Sequence, residues 1–140
     1  MDIQRIAQEQ ETRNAKAIKL FVIEDHPIVR LGIEMLFEYL EDVFIVGETG
    51  SVSEALHLIP ALKPDVVLID IELPGASGIS AIATIKDCHP EIAIVALSFH
   101  EDHIYREKLL SSGAHTLISK RTAACELVRA IRTAAHAIPV

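Results

Sequence analysis

The sequence predicts an α/β protein in which helices cover both faces of a parallel sheet, a three-layer sandwich. Short apolar runs alternate along the chain with segments in which apolar residues recur at helical spacing. The runs are apolar at successive positions, which is typical of strands that crossover helices bury on both faces. With 140 residues, half of them hydrophobic, the chain is long enough for one domain with a sizeable core.

Five strands and five helices are predicted in alternation. The strand candidates are KLFVI at 19–23, VFIVG at 43–47, DVVLI at 65–69, IAIVAL at 92–97 and HTLIS at 115–119. The helix candidates are 27–40, 51–62, 78–88, 101–112 and 122–136. Apolar residues lie three or four apart in each helix candidate, as at Ile28, Leu31 and Met35. Pro27 suits a first helical turn, where its missing N–H is not needed.

Charge and polarity vary along the chain. We expect residues 18–137 to form the domain and the mostly polar residues 1–17 to form a short helical or frayed extension. The formal net charge of −7 argues against DNA binding by this chain alone. Residues 18–104 carry 15 acidic and 4 basic residues, whereas residues 105–140 carry 2 acidic and 6 basic ones. This distribution suggests a cation-binding pole in an acidic body.

The cysteines and histidines predict neither a disulfide nor a zinc site. Cys88 and Cys125 form no CxxC pair, and His100 and His103 are spaced i, i+3 without a further ligand motif. The sequence shows no secretory signal and no apolar run of membrane length. These features favour a reducing cytoplasm as the location and predict no association with membranes.

Polar side chains end four of the five predicted strands. Glu24 and Asp25 follow the first strand, Asp70 the third and Ser98 the fourth, while Lys120 ends the segment of the fifth. In a doubly wound sheet ligands bind beyond the carboxyl ends of the strands, where the winding direction reverses. We therefore expect three carboxylates, a hydroxyl and an ammonium to converge at one edge.

This combination of groups predicts a phosphoryl-transfer site. Crowded carboxylates raise one another's pKa unless a cation neutralises them, which implies a hard divalent ion. A few oxygen ligands with room for water and phosphate fit Mg²⁺ better than Ca²⁺. One carboxylate can then attack phosphorus and form an acyl phosphate, while the metal and the ammonium neutralise the transferred group.

Four motifs in order carry a family resemblance: VIEDHPIVRLGIEMLFE, DVVLIDIELPGASGI, IVALSFHED and SSGAHTLISK. Residues 18–136 resemble the receiver domain of two-component response regulators, which has the CheY-like, flavodoxin-like fold. The first motif resembles the opening of the NarL/LuxR subgroup. The resemblance implies a five-stranded parallel sheet of order 2-1-3-4-5.

The resemblance also implies a phosphoacceptor and a metal site. Asp70 would accept the phosphoryl group, and Glu24 and Asp25 would hold Mg²⁺, with Asp25 as the direct ligand. Asp70 and the backbone carbonyl of Glu72 would complete the protein ligands. Pro74 and Gly75 would shape the loop after this strand, and we expect Gly78 to let the chain enter the next helix closely.

The remaining roles implied by the resemblance concern phosphate contacts and partners. Ser98 would bond one phosphoryl oxygen and Lys120 would pair with another. A sensor histidine kinase would supply the phosphoryl group, and the only catalysis would be transfer onto Asp70 and its slow loss. A homodimer is possible, and DNA would be bound only through a helix-turn-helix output domain that these 140 residues lack.

Two departures from the family pattern concern switching and access. The family's frequent aromatic residue three positions before the lysine is Leu117 here, which predicts that the output uses another rearrangement. Phe99 follows Ser98 where the family has a small residue, so we expect it to narrow access for phosphodonors.

Two further departures concern phosphate lifetime and the loop after the lysine. Glu72 and His100 occupy positions that in the family control the approach of water, which predicts a changed phosphate lifetime. Arg121 replaces a frequent proline after Lys120, so no cis peptide is expected there.

Other functions fit the predicted fold less well. A flavodoxin needs hydroxyls and backbone donors after its first strand, where this chain has two acids. A hydrolase of the haloacid dehalogenase type needs a D-x-D pattern there, which is absent. A stand-alone receiver that relays phosphate, or one that binds partners without phosphorylation, stays open, although the ending HAIPV favours a truncated regulator.

Overall fold

The computed structural model describes residues 2–6, 17–73, 77–99, 102–122 and 124–137. The strands are β1 (Ile18–Ile23), β2 (Val43–Thr49), β3 (Val66–Asp70), β4 (Ala93–Ser98) and β5 (Thr116–Ser119). The helices are α1 (Pro27–Glu38), α2 (Val52–Leu62), α3 (Gly78–Cys88), α4 (His103–Ser112) and α5 (Ala124–Ala137). The strands form one parallel sheet of order β2-β1-β3-β4-β5, which confirms the predicted fold.

Each face of the sheet carries its own apolar core. Along β1, Phe21 points into the core covered by α2, α3 and α4, and Leu20 points into the core covered by α1 and α5. Both side chains are fully buried. Successive residues of a strand point to opposite faces, so a run that is apolar at every position fills both cores. The prediction of three layers from unbroken apolar runs is therefore confirmed.

The sheet order places the polar strand ends beside one another. β1 lies between β2 and β3, so the chain winds in opposite directions from this point, and β4 and β5 follow on the far side of β3. The ends of β1, β3, β4 and β5 therefore meet at the carboxyl edge.

Two helices, α4 and α5, begin two residues later than predicted. α1 begins at Pro27, as expected. α4 begins at His103 and not at 101, because the Asp102 carboxylate accepts a hydrogen bond from the Ile104 N–H, 2.8 Å away, and caps the helix. α5 begins at Ala124 and not at 122.

Two other predictions concern the periphery of the domain. The predicted N-terminal extension is helical at residues 3–6, and residues 7–16 lie outside the described residues. Cys88 and Cys125 are free and exposed. Among the described helices, none combines the length and apolar character needed to cross a membrane.

Gly78 allows α3 to start directly against the segment that follows β3. A Cβ atom at Gly78 would lie 2.5 Å from the Cβ and 2.8 Å from the Cα of Ile71, whose backbone cannot yield easily. This close approach confirms the expectation that the chain enters the helix closely. Gly32, on α1, differs because a Cβ there would meet nothing within 4 Å.

The two glycines give opposite predictions. We expect Gly78→Ala to lower the free energy of unfolding by about 1–3 kcal/mol through overpacking. We expect Gly32→Ala to raise it by roughly 0.5–1 kcal/mol, because alanine costs less backbone entropy in a helix. Urea unfolding followed by circular dichroism measures both, and equal effects of the two substitutions would contradict the difference in packing around Gly78 and Gly32.

An acidic pair links α1 to the edge strand β2. Burial, followed by the hydrogen bond and charge of Glu34, raises the pKa of Glu48 from 4.5 to about 7, although Arg30 opposes the shift. The Arg30 Nε atom lies 3.8 Å from the Glu48 Oε2 atom. The folded chain therefore retains a proton that the unfolded chain has released, so this contribution to stability is present below pH 4.5 and is lost as the pH rises through about 7.

Removing the acid should remove this pH dependence. We expect Glu48→Gln to unfold at a higher urea concentration than the wild type at pH 8 and to show a smaller advantage at pH 5. Glu38→Gln, which removes a charge from the exposed C-terminal end of α1, is the matched control. If Glu48→Gln stabilises the protein equally at both pH values, the proton retained by Glu48 is not the source of the stabilisation.

Candidate functional site

The acids that follow β1 and end β3 form one compact cluster. Glu24, Asp25, His26 and Asp70 each place a ligand atom within 4.8 Å of those of the other three. The Glu24 and Asp70 side chains are fully buried, and about a quarter of the Asp25 side chain is exposed. The structure thus brings together the three carboxylates that the sequence placed at strand ends.

Each of these carboxylates presents a buried oxygen that accepts no hydrogen bond from the described residues. The atoms are Glu24 Oε2, Asp25 Oδ1 and Asp70 Oδ2. A buried carboxylate oxygen without a donor or a cation is costly, because the charge has lost its water. Three such oxygens from neighbouring residues match the oxygen ligands that a hard divalent cation prefers. The residues present therefore fit the predicted metal.

The charges in the cluster oppose one another. Burial raises the pKa of Glu24 above its usual value, the neighbouring Asp70 carboxylate raises it further, and hydrogen bonds from His26 act in the opposite direction. Like charges held this closely disfavour full ionisation. A divalent cation bound by the three oxygens would relieve this repulsion.

His26 belongs to the site, although the sequence analysis did not assign it there. Its Nδ1 atom lies 3.0 Å from Glu24 Oε1, 3.2 Å from Asp25 Oδ1 and 3.9 Å from Asp70 Oδ2. Its backbone N–H also donates to Glu24 Oε1 at 3.2 Å. The available signal was its place in the sequence EDH, directly after the two acids.

Lys120 brings a positive charge to Asp70 from the far side of β4. Its Nζ atom lies 2.8 Å from Asp70 Oδ1 and 3.2 Å from Glu72 Oε2, and its side chain is 7% exposed. Burial alone would lower the pKa of Lys120, but the hydrogen bonds and charges of these acids raise it above its usual value. The lysine is therefore held as a cation.

The backbone after β3 fixes the Asp70 carboxylate. The Glu72 N–H donates to Asp70 Oδ1 at 2.9 Å, so this oxygen receives hydrogen bonds from both a peptide group and Lys120. The other oxygen, Oδ2, is the one that faces the cluster of acids without a donor. The two oxygens of Asp70 therefore lie in different electrostatic surroundings.

The Glu72 side chain has contacts that the sequence analysis did not foresee. The Ser98 hydroxyl donates to Glu72 Oε1 at 2.9 Å, and the Phe99 N–H donates to the same oxygen at 2.7 Å. Burial would raise the pKa of Glu72, but these two hydrogen bonds and that from Lys120 lower it below its usual value. The sequence predicted a role only for the backbone carbonyl of Glu72.

Three other residues that depart from the family pattern, Phe99, Leu117 and Arg121, lie in the described part of the chain. The Phe99 ring is about half exposed, and its centroid lies 4.9 Å from Lys120 Nζ and 5.9 Å from Arg121 Cζ. Leu117 is buried in the core beneath α4. The peptide bond at Arg121 is trans, as expected. His100, Pro74 and Gly75 lie outside the described residues.

Comparison with known protein families gives a match over most of the chain. The model of the response regulator receiver domain matches residues 20–132. The chain belongs to the response regulator receiver domain family. The resemblance carried by the four sequence motifs is therefore confirmed.

Relatives of this receiver domain are response regulators of the NarL/LuxR type. It is 36% identical over 115 residues to the response regulator GacA of Pseudomonas syringae, covering 82% of this chain and 54% of that protein. It is 38% identical over 118 residues to the response regulator protein VraR of Staphylococcus epidermidis, covering 83% and 56%. The chain thus spans about half the length of the curated relatives it matches.

Solved structures agree with this assignment. The signal receiver domain of the response regulator NarL from Mycobacterium tuberculosis matches with a TM-score of 0.81 at 28% identity, covering 87% of this chain and 98% of that one. The isolated receiver domain of RcsB from Salmonella enterica, solved in the presence of the phosphomimetic BeF₃⁻, matches with a TM-score of 0.78 at 27% identity, covering 83% and 86%.

The cluster of buried oxygens predicts that a cation stabilises this receiver domain. A ligand that binds only the folded state at 100 times its Kd adds about 2.7 kcal/mol to the free energy of unfolding. We expect Mg²⁺ to raise the melting temperature of the wild type and to have little effect on Asp25→Asn, which itself melts higher than the wild type without Mg²⁺. Asp87→Asn, on the exposed end of α3, should respond like the wild type. Equal Mg²⁺ responses in all three proteins would contradict the site.

Proposed function

We propose that this receiver domain is a signalling switch that a sensor histidine kinase phosphorylates on Asp70 in the presence of Mg²⁺. The observation that carries the proposal is the asymmetry of Asp70. One of its oxygens is bound by Lys120 and a peptide N–H, and the other faces the acidic cluster without a donor. A carboxylate held in this way is an oriented nucleophile beside a cation site.

The proposed phosphoryl transfer needs only a phosphohistidine donor and the Asp70 acceptor. A carboxylate oxygen of Asp70 attacks the phosphorus of a phosphohistidine, the new O–P bond forms, and the N–P bond breaks. The imidazole of the donor keeps the electron pair of the broken bond. Mg²⁺, held by Glu24, Asp25, Asp70 and the carbonyl of Glu72, would neutralise negative charge on the transferred group.

Two side chains on neighbouring strands would hold the transferred group. Lys120 already lies against Asp70, and its positive charge would pair with one phosphoryl oxygen. The Ser98 hydroxyl, which points into the same site, would donate to another. Transfer onto Asp70 and slow hydrolysis of the acyl phosphate would be the only catalysis by this chain.

The output lies outside the described domain. The relatives are about twice as long as the matched segment, which supports control of a further, output domain. The resemblance to the NarL/LuxR subgroup implies that this output domain binds DNA through a helix-turn-helix. The net charge of −7 also supports DNA binding by another domain, because DNA would repel this one. A homodimer formed through the switched surface and a location in the cytoplasm complete the proposal.

Phosphorylation is tested by intact-mass spectrometry after incubation with a small phosphodonor, with and without Mg²⁺. We expect one phosphoryl adduct on the wild type and on Asp87→Asn only when Mg²⁺ is present. Asp70→Asn should give no adduct, because an amide is a far weaker nucleophile than a carboxylate.

The absence of an adduct from every protein, with a histidine kinase as donor as well, would refute phosphorylation. A receiver that binds its partners without phosphorylation would then explain the fold. An adduct that persists in Asp70→Asn would place the acceptor elsewhere.

A further inference from the structure

The Glu72 carboxylate takes up the hydrogen-bond donors at the ends of β4 and β5. Its Oε1 atom accepts from the Ser98 hydroxyl at 2.9 Å and from the Phe99 N–H at 2.7 Å. Its Oε2 atom accepts from Lys120 Nζ at 3.2 Å. Three donors, from two strands other than its own, therefore converge on one side-chain anion.

A phosphoryl group on Asp70 would need the same donors. Lys120 Nζ lies 2.8 Å from Asp70 Oδ1 and also contacts Glu72, so one ammonium faces both acids. A phosphoryl group brings oxygens that seek charge-assisted hydrogen bonds. The hydroxyl of Ser98 has one proton to donate, so it cannot bind Glu72 and a phosphoryl oxygen at the same time.

We propose that Glu72 is an internal anion that occupies the phosphoryl-binding donors of the resting domain and must be displaced when Asp70 is phosphorylated. The inference rests on the proposed function, and it adds a competitor within the chain. Glu72 thus lowers both the rate of phosphorylation and the affinity for phosphate analogues, because only the fraction of molecules with free donors can react.

Glu72 can leave its position without disturbing the core. Its side chain is 24% exposed, so a path to solvent exists, whereas Asp70 is fully buried at the end of β3. The phosphoryl group on Asp70 binds the donors more strongly than the Glu72 carboxylate does. A phosphoryl group carries about −1.5 to −2 charges, against one for a carboxylate, and its bond to Asp70 keeps it at the site.

The occupied site also changes what has to move on phosphorylation. The Ser98 hydroxyl and Lys120 ammonium already point at an anion in the resting structure. The rearrangement that the proposal requires is the departure of Glu72 from the Ser98 hydroxyl, the Phe99 N–H and Lys120. This fits a domain in which Leu117 replaces the family's usual aromatic switch.

The test compares four proteins with the wild type: Glu72→Ala, Glu72→Gln, Glu72→Asp and the control Glu38→Gln. The rate of adduct formation with a small phosphodonor is followed by intact mass, and BeF₃⁻ binding with Mg²⁺ is followed by calorimetry. We expect Glu72→Ala to react faster and to bind BeF₃⁻ more tightly by about 10-fold, and Glu72→Gln to show a smaller gain. Glu38→Gln should behave like the wild type.

Glu72→Asp separates occupation of the donors from simple charge repulsion. Aspartate keeps the negative charge, but its side chain is one methylene shorter and cannot reach all three donors. Under the proposal this variant reacts faster than the wild type, as Glu72→Ala does. A variant Glu72→Asp as slow as the wild type, beside a fast Glu72→Ala, would assign the effect to charge and overturn the proposal.

A second measurement detects the contact without phosphorylation. The Phe99 amide proton should resonate downfield in the wild type, because it donates to a carboxylate at 2.7 Å. It should move upfield in Glu72→Ala and return downfield when BeF₃⁻ and Mg²⁺ are added. An amide resonance that does not respond to Glu72→Ala would overturn the proposal.

The rates of adduct formation also distinguish a failure of the Glu72 proposal from a failure of the proposed phosphorylation of Asp70. Adducts that form at the same rate in all five proteins would leave the phosphorylation of Asp70 in place and refute the role of Glu72. Adducts that form in none of them would refute the phosphorylation, and the inference would fall with it.

Discussion

Repulsion between carboxylates buried at one edge of the sheet is the constraint on which the site depends. Glu24, directly after β1, and Asp70, at the end of β3, are fully buried, and the hydrogen-bonded ladder of β1 and β3 fixes their separation. Neither acid can retreat into solvent without breaking the sheet. The repulsion must therefore be relieved by protonation, by a bound cation or by Lys120. A fold that holds acids in this way is prepared to bind a metal.

Lys120 relieves part of the repulsion, but Asp70 and Glu72 compete for its positive charge. It lies between Asp70 and Glu72, both of which it contacts, and its raised pKa reflects both acids. One positive charge is divided between the two acids, so each acid is stabilised more when the ammonium moves towards it and away from the other. Any added negative charge on Asp70 therefore draws Lys120 away from Glu72. The contact between them couples the chemistry at β3 to the loops after β4 and β5.

Polar residues stand out at the ends of buried apolar runs, so the sequence predicted that Asp70, Ser98 and Lys120 meet at one edge of the sheet. The sheet order was implied by the resemblance to receiver domains, and the structure has that order. It did not predict the Glu72 contacts, because the direction of a side chain two residues beyond a strand depends on the path of the following loop. His26 was missed for a related reason. An exposed histidine beside two acids is common, and only the cluster geometry shows that its ring reaches Glu24 and Asp25.

The three donors that Glu72 occupies differ in how well they distinguish two anions. Two of these donors, the Phe99 backbone N–H and the Ser98 hydroxyl, are neutral groups. The third, Lys120, is a cation. The attraction of an anion to a neutral donor and its attraction to an ammonium both grow with the charge of the anion, but the full positive charge of the ammonium makes its gain the larger one. Converting a two-state equilibrium from 1:99 to 99:1 requires about 5.5 kcal/mol of differential binding. Among the groups that contact Glu72, Lys120 must therefore supply most of the preference for a phosphoryl group, and the aromatic ring of Phe99 beside it acts by shielding that ammonium from water.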